Sequence, residues 1–288
     1  MVRGRATLIG FSAVLMWALL AVLTIGTAPV PPLQLNAMCF AIGGGMGLVW
    51  IVRGAGFGVL RLVSWKVYAF GTIGLFGYHF LYFTAFRLAP YAETGLIAYL
   101  WPLFIVLLSG LLPGERLRGL HVAGAALAFG GAALILLRGG ALVPPGALPG
   151  MGLALVCALS WAAYSVASRR LGLVPSEAVT VYCLAAALLS GIAHLALETT
   201  VAPLGAAGWA SVGLLGLGPV GLAFFTWDVG MKRGDIQMLG VASYAAPLLS
   251  TLALIVAGRA EATPILLAAA VLITGGAALA ARASLKKT

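Results

Sequence analysis

The chain has 288 residues, 62% of them hydrophobic and 8% charged, with a net charge of +10 and a mean hydropathy of +1.10. A soluble domain needs far more charge on its surface, so this composition excludes one. It also argues against a nucleic-acid-binding protein, because the basic residues are scattered between apolar runs and not gathered on a polar domain.

Crossing a bilayer as a helix takes about 20 apolar residues. In chain order, the apolar segments are Ala6–Gly26, Leu33–Val52, Lys66–Phe86, Pro90–Leu112 and Leu120–Leu137 in the first half. Pro149–Ser168, Ser176–Leu197, Gly205–Met231, Ile236–Ala257 and Thr263–Ala281 follow in the second. Arg3 and Arg5 before the first run would also suit a signal peptide. The run is too long for one and no small-x-small cleavage site precedes Pro29, so it reads as a retained helix. The runs are continuous and lack alternating polarity, which argues against a β-barrel. The expected fold is therefore an all-α integral membrane protein of ten transmembrane helices.

Orientation follows from the loops. Fourteen of the seventeen Lys and Arg residues fall in alternate gaps, and only Arg87, Arg138 and Arg259 fall in the others. Cytoplasmic loops carry the excess of positive charge, so both termini are expected in the cytoplasm. Cys39, Cys157 and Cys183 all lie within apolar segments. An odd number of buried thiols with no metal-like spacing reads as packing, with neither a disulfide framework nor a metal site.

The second half echoes the first. Trp17 matches Trp161, Pro31 matches Pro175 and Cys39 matches Cys183 at a shift of 144 residues. Tyr99-Leu100-Trp101-Pro102 matches Tyr244-Ala245-Ala246-Pro247 at 145, as Gly130-Gly131-Ala132-Ala133-Leu134 matches Gly275-Gly276-Ala277-Ala278-Leu279. The seam falls at 138–149, with Pro144-Pro145, giving a first repeat at 1–138 and a second at 149–288 within one transport unit. Five spans is an odd number, so the second copy enters the membrane upside down. Inverted repeats are typical of secondary transporters, whose sites lie near the midplane. Duplication without transport, as in an intramembrane enzyme, is the other reading of the same pattern.

With two five-helix halves, a Tyr-x-x-Pro in each fourth helix and Gly-Gly-Ala-Ala-Leu late in each half, the chain resembles the EamA branch of the drug/metabolite transporter superfamily. Its aromatic middle helices are most similar to those of the bacterial aromatic amino acid exporters. The resemblance covers essentially the whole chain. It implies efflux of aromatic amino acids and related amphipathic solutes across a bacterial inner membrane.

The residues of the middle point the same way. Tryptophan and tyrosine usually favour the membrane interfaces, as Trp50, Trp65 and Trp209 do here. By contrast, helix rise puts His79 roughly 20 Å past Lys66, with Tyr82 one turn further. The expected cavity lining is Trp17, Tyr78, His79, Tyr82, Tyr99, Trp101, Trp161, Tyr164, Phe224, Ser243 and Tyr244. Trp101 and Tyr164 are the weaker members, since adjacent helical positions point about 100° apart. Each ring alone is equally explained by helix packing, but a buried imidazole usually faces a cavity or a partner. Phe83-Thr84 and Phe225-Thr226 align at a shift of 142, which sets His79 opposite Gly221 and Tyr82 opposite Phe224. Pro102, Pro219 and Pro247 interrupt their helices and are candidate hinges, or static kinks.

Acids are missing from the span centres. Asp228 lies four residues from Lys232 and His194 four from Glu198, spacings that suit local pairs on one helix face. Arg87 and Glu93 bracket the loop between the third and fourth segments, either as a gate or as solvated helix ends. A proton-coupled multidrug or organic-cation exporter, the competing class, would normally need an embedded acid. Its absence favours a net-neutral solute moving down its gradient, or coupling through His79. The sequence contains no metalloprotease His-Glu-x-x-His and no phosphate loop, so an enzyme is poorly supported. The expected partners are a small amino acid and the lipid bilayer, with a monomer as the working unit and no cofactor.

Overall fold

A computed structural model describes residues 2–136, 146–258 and 261–285, and every regular element among them is helical. The first half contains α1 (Arg3–Trp17), α2 (Leu20–Ile25), α3 (Pro32–Arg53), α4 (Trp65–Thr72), α5 (Tyr78–Leu88), α6 (Tyr91–Ala98), α7 (Trp101–Ser109) and α8 (Gly119–Leu136). The second contains α9 (Leu148–Ser168), α10 (Ala178–Leu197), α11 (Gly205–Leu217), α12 (Ala223–Arg233), α13 (Ile236–Ala242), α14 (Ala245–Val256) and α15 (Pro264–Leu285). Arg138, the Pro144-Pro145 seam, Arg259, Lys286 and Lys287 lie outside the described residues.

Among the described residues, seven helical stretches are long and apolar enough to cross a membrane. Thr94–Ser109 and Gly119–Leu134 are apolar but shorter, so the fourth and fifth expected segments are met only in part. The third is helical but broken by a π turn at Ile73–Gly77, and it carries the polar rings of Tyr78, His79 and Tyr82. Interruptions recur at related places in the two halves. A second π turn, Gly218–Leu222, joins α11 to α12 and lies 145 residues after the first. The chain also leaves the helix between α6 and α7, at Tyr99 and Leu100, and between α13 and α14, at Ser243 and Tyr244. Pro102 stands in the first turn of α7 and Pro219 inside the second π turn. Proline lacks the N–H that would continue the preceding hydrogen-bond ladder, so breaks gather around it.

Apolar side chains cover the outside, among them Leu188, Leu195, Leu267 and Val271, as a bilayer requires. Inside, the most extensive contacts each join one half to the other: α8 with α15, α3 with α10, α1 with α12 and α5 with α9. Small residues make this closeness possible. A Cβ at Gly124 would strike the Gly276 carbonyl, and one at Gly131 the Ala269 carbonyl, so α8 and α15 run antiparallel. Between α3 and α10, Leu33 meets Glu198, Asn36 meets Ser190 and Gly47 abuts Thr180, which is again antiparallel. Gly124→Ala is expected to lower stability by about 1 kcal/mol, the low end for overpacking, because a backbone carbonyl cannot yield as a side chain can. Thermal unfolding in detergent measures it, and an unchanged midpoint would show that the two helices separate at little cost.

A cavity walled by aromatic rings

A cavity of about 540 Å³ opens in the middle of the bundle, within the range usual for small-molecule sites. Eight expected residues line it: Trp17, Tyr78, His79, Tyr82, Tyr99, Trp101, Trp161 and Phe224. Trp17 is the hub. Its ring centroid lies 6.0 Å from both Trp101 and Trp161, and its indole N–H donates to the Pro219 carbonyl at 3.0 Å. The second π turn therefore supplies the polar partner that an indole needs in an apolar interior.

Three expected lining residues are elsewhere. Tyr164 packs between Phe70 and Trp161, over Gly74, where a Cβ would strike its ring. Ser243 is fully buried and returns its hydroxyl to the Leu239 carbonyl at 2.7 Å. Tyr244 is also fully buried, with its ring against Phe129 and its hydroxyl accepting from the Leu103 N–H at 3.1 Å. Ser243 and Tyr244 sit at a helix interruption, which resets the angle at which side chains leave the axis, whereas Tyr164, on the unbroken α9 three residues after Trp161, turns toward Phe70 and Gly74.

The π turns also correct the pairing of the halves. A shift of 145 sets His79 opposite Phe224 and Tyr82 opposite Trp227. His79 meets Phe224 at a ring separation of 5.9 Å and Phe40 at 5.0 Å. Its Nδ1–H donates to the Leu75 carbonyl, in the first π turn, at 2.7 Å. The neutral ring is thereby held in one tautomer, with Nε2 as a free acceptor.

Sequence reasoning missed two residues of this region. Asn36 lines the cavity and donates through Nδ2 to Ser190 Oγ at 2.7 Å, leaving its carbonyl oxygen as an acceptor. The two amides Gln34 and Asn36 within an apolar run were the available signal. Trp227 lies beneath the cavity, 5.0 Å from Trp17 and 5.7 Å from Trp101, with its N–H on Ser165 Oγ at 3.1 Å. The repeat shift of 145 pointed to it, as the counterpart of Tyr82. Cys39, Cys157 and Cys183 are free and buried.

The two ends of the bundle differ. At one end, Glu115 accepts from Arg169 at 2.7 Å and pairs with Arg3 at 3.2 Å. Arg169 also donates to the carbonyls of Met231 and Gly234, and Asp235 lies 3.5 Å from Arg3. Trp227, Met231, Ile236 and Leu239 are buried between this network and the cavity. Asp228 and Lys232 form the expected local pair at 2.8 Å, joined by Ser176. At the other end, Glu198 holds Arg87 and His194 and accepts from the Leu33 and Gln34 N–H groups at the start of α3. Arg87, expected to bracket a candidate gate with Glu93, pairs instead with Glu198, and the Glu93 side chain lies outside the described residues. Leu35, Thr24, Ile25 and Phe83, on the Glu198 side, belong to the cavity wall. Among the described residues no cluster of three His, Cys, Asp or Glu side chains could hold a metal.

Several apolar helices around a solute-sized internal cavity suit a membrane transporter. The sequence profile of the EamA-like transporter family matches residues 4–137 and again residues 148–282, and this chain belongs to that family. It is 53% identical over 283 residues to the aromatic amino acid exporter YddG of Ancylobacter novellus, covering 97% of this chain and 98% of the relative. The Salmonella typhimurium protein of the same name is 23% identical over 263 residues, covering 87% and 88%. A solved crystal structure with 53% identity superposes at a TM-score of 0.93 over 96% of each chain. The protein is a membrane transporter and not an enzyme.

Proposed function

We propose that this protein exports aromatic amino acids and related amphipathic solutes across the bacterial inner membrane by alternating access, working as a monomer. The observation that carries the reading is a cavity walled by aromatic rings with no charged side chain in its lining. Rings stack on an aromatic solute, and an uncharged wall favours a zwitterion, whose charges cancel, over a cation. The relatives bearing the name aromatic amino acid exporter support the same choice.

In this reading Trp17, Trp101, Trp161 and Phe224 take the substrate ring. The free acceptors on His79 and Asn36 take its ammonium group, and the hydroxyls of Tyr78, Tyr82 and Tyr99 donate to its carboxylate. The chain is read as ten spans in two inverted five-helix repeats, 1–138 and 149–288. The antiparallel pairs α3–α10 and α8–α15, and the π turns 145 residues apart, support that arrangement. Pro102, Pro219 and Pro247 mark the flexible points. With cytoplasmic termini, the Glu115 end faces the cytoplasm and the cavity opens outward.

Proteoliposomes loaded with labelled phenylalanine or with a quaternary ammonium dye separate this reading from a cation exporter. Phenylalanine is expected to leave down its gradient without an imposed pH difference. Efflux of the dye alone, dependent on a pH gradient, would overturn the assignment.

A further inference from the structure

Tyr99 and Tyr244 occupy equivalent positions of the two halves, as do Leu103 and Leu248, each pair 145 residues apart. Only one of the two possible cross-contacts exists in this structure. The Leu103 N–H donates to the Tyr244 hydroxyl, whereas Tyr99 stands on the cavity wall and makes no such bond to Leu248 among the described residues.

The chemistry explains why one bond is needed. α7 starts directly after a break in the helix, and its own N-cap residue, Leu100, makes no side-chain capping bond. Pro102 has no N–H to offer, and the Leu103 N–H falls in the first turn, where helix N–H groups have no intrahelical acceptor. In a sealed, apolar interior such a donor is costly unless something accepts from it. Tyr244, arriving from the opposite half, does so on the side of the bundle that is packed. α14 likewise starts after a break and lacks a side-chain cap. Beside Leu248, which is itself buried, Ala246 and Ser250 line the cavity.

We infer that Tyr244 and Tyr99 are paired gate residues that exchange roles during transport. In the state seen here Tyr244 caps Leu103 and seals the Glu115 side. In the opposite state Tyr99 caps the Leu248 backbone and seals the Glu198 side, while Tyr244 swings onto the wall of the newly opened cavity. Tyr244 is then a lining residue of the other state, and Tyr99 leaves the substrate site to close it. This inference rests on the alternating-access reading proposed above.

The test uses the full chain in liposomes with its three native cysteines replaced by alanine. A reporter thiol is introduced by Ser250→Cys, on the present cavity wall, or by Ile105→Cys, its counterpart 145 residues earlier, which is now fully buried. A membrane-impermeant maleimide, present on both sides, reports the accessibility of each position. Tyr244→Phe removes the bond of the present state and should raise the ratio of labelling at 105 to labelling at 250 by about fivefold, the factor that one ordinary hydrogen bond gives. Tyr99→Phe removes the bond of the other state and should lower the same ratio by about fivefold. Phenylalanine retains the ring packing, and opposite shifts from the two variants cannot arise from general loosening. Shifts in the same direction, or no shift in either variant, overturn the exchange while leaving alternating access in place. Failure of position 105 to react in any variant overturns both. Loss of wild-type phenylalanine flux with opposite shifts intact removes only the substrate assignment.

Discussion

Glu115→Gln is expected to shift the balance between states about thirtyfold away from the one in which the Glu115 end is closed. A single carboxylate there joins the start of α1, the loop after α7, the end of α9 and the turn between α12 and α13. None of these can separate while Arg169, its side chain only 19% exposed, donates to Glu115 at 2.7 Å and to two backbone carbonyls. Charge-assisted bonds of this kind contribute about 1.5–3 kcal/mol each, so the Arg169 bond alone accounts for roughly 2 kcal/mol. Arg3 is 42% exposed, and water screens its share. Glutamine preserves the shape and removes the charge. Hydrogen exchange reads the result: amides of the α12–α13 turn should exchange about thirtyfold faster, while those of α10 keep their protection. Equal protection in the variant would mean that this network decorates the closed end without holding it.

His79→Phe is expected to weaken phenylalanine transport by about tenfold to hundredfold in half-saturating concentration, with normal insertion. The phenyl ring keeps the edge contacts with Phe40 and Phe224. It loses the free Nε2 acceptor assigned to the substrate ammonium, and bonds to a charged group are worth about 1.5–3 kcal/mol. It also releases the Leu75 carbonyl inside the first π turn, which tends to close that turn into ordinary helix and rotate Tyr78. Concentration-dependent efflux from proteoliposomes separates the variant from wild type. An unaltered half-saturating concentration would remove His79 from substrate recognition and leave it as the pin of the π turn.

The aromatic site was legible to the extent that it depends on depth. Trp17, His79 and Trp161 are central by residue count alone, and the structure gathers them with Tyr78, Tyr82, Tyr99, Trp101 and Phe224 around one cavity. Rotation about the helix axis was not legible. The breaks at Tyr99–Leu100 and Ser243–Tyr244 restart the helical phase, so Ser243 and Tyr244 point into packing, while Tyr164, on the unbroken α9, is turned away by the packing of that helix on Phe70 and Gly74. The matching π turns, 145 residues apart, make Phe224 and not Gly221 the counterpart of His79. Local pairs were readable because four residues make one helical turn, as with Asp228 and Lys232. The partner of Arg87 was not, since Glu198 is 111 residues away.

Amino-acid order alone determined that the protein lives in lipid, that one family pattern recurs in its two halves, and which rings lie deep within their apolar segments. Hydropathy, spacing and rise per residue are properties of a line, and each can be counted along it. The tertiary structure decided which faces meet, which carboxylate binds which arginine, and toward which end the hollow extends. Those outcomes come from the close approach of glycine-lined helices belonging to opposite halves, and such contacts bring together groups more than a hundred residues apart.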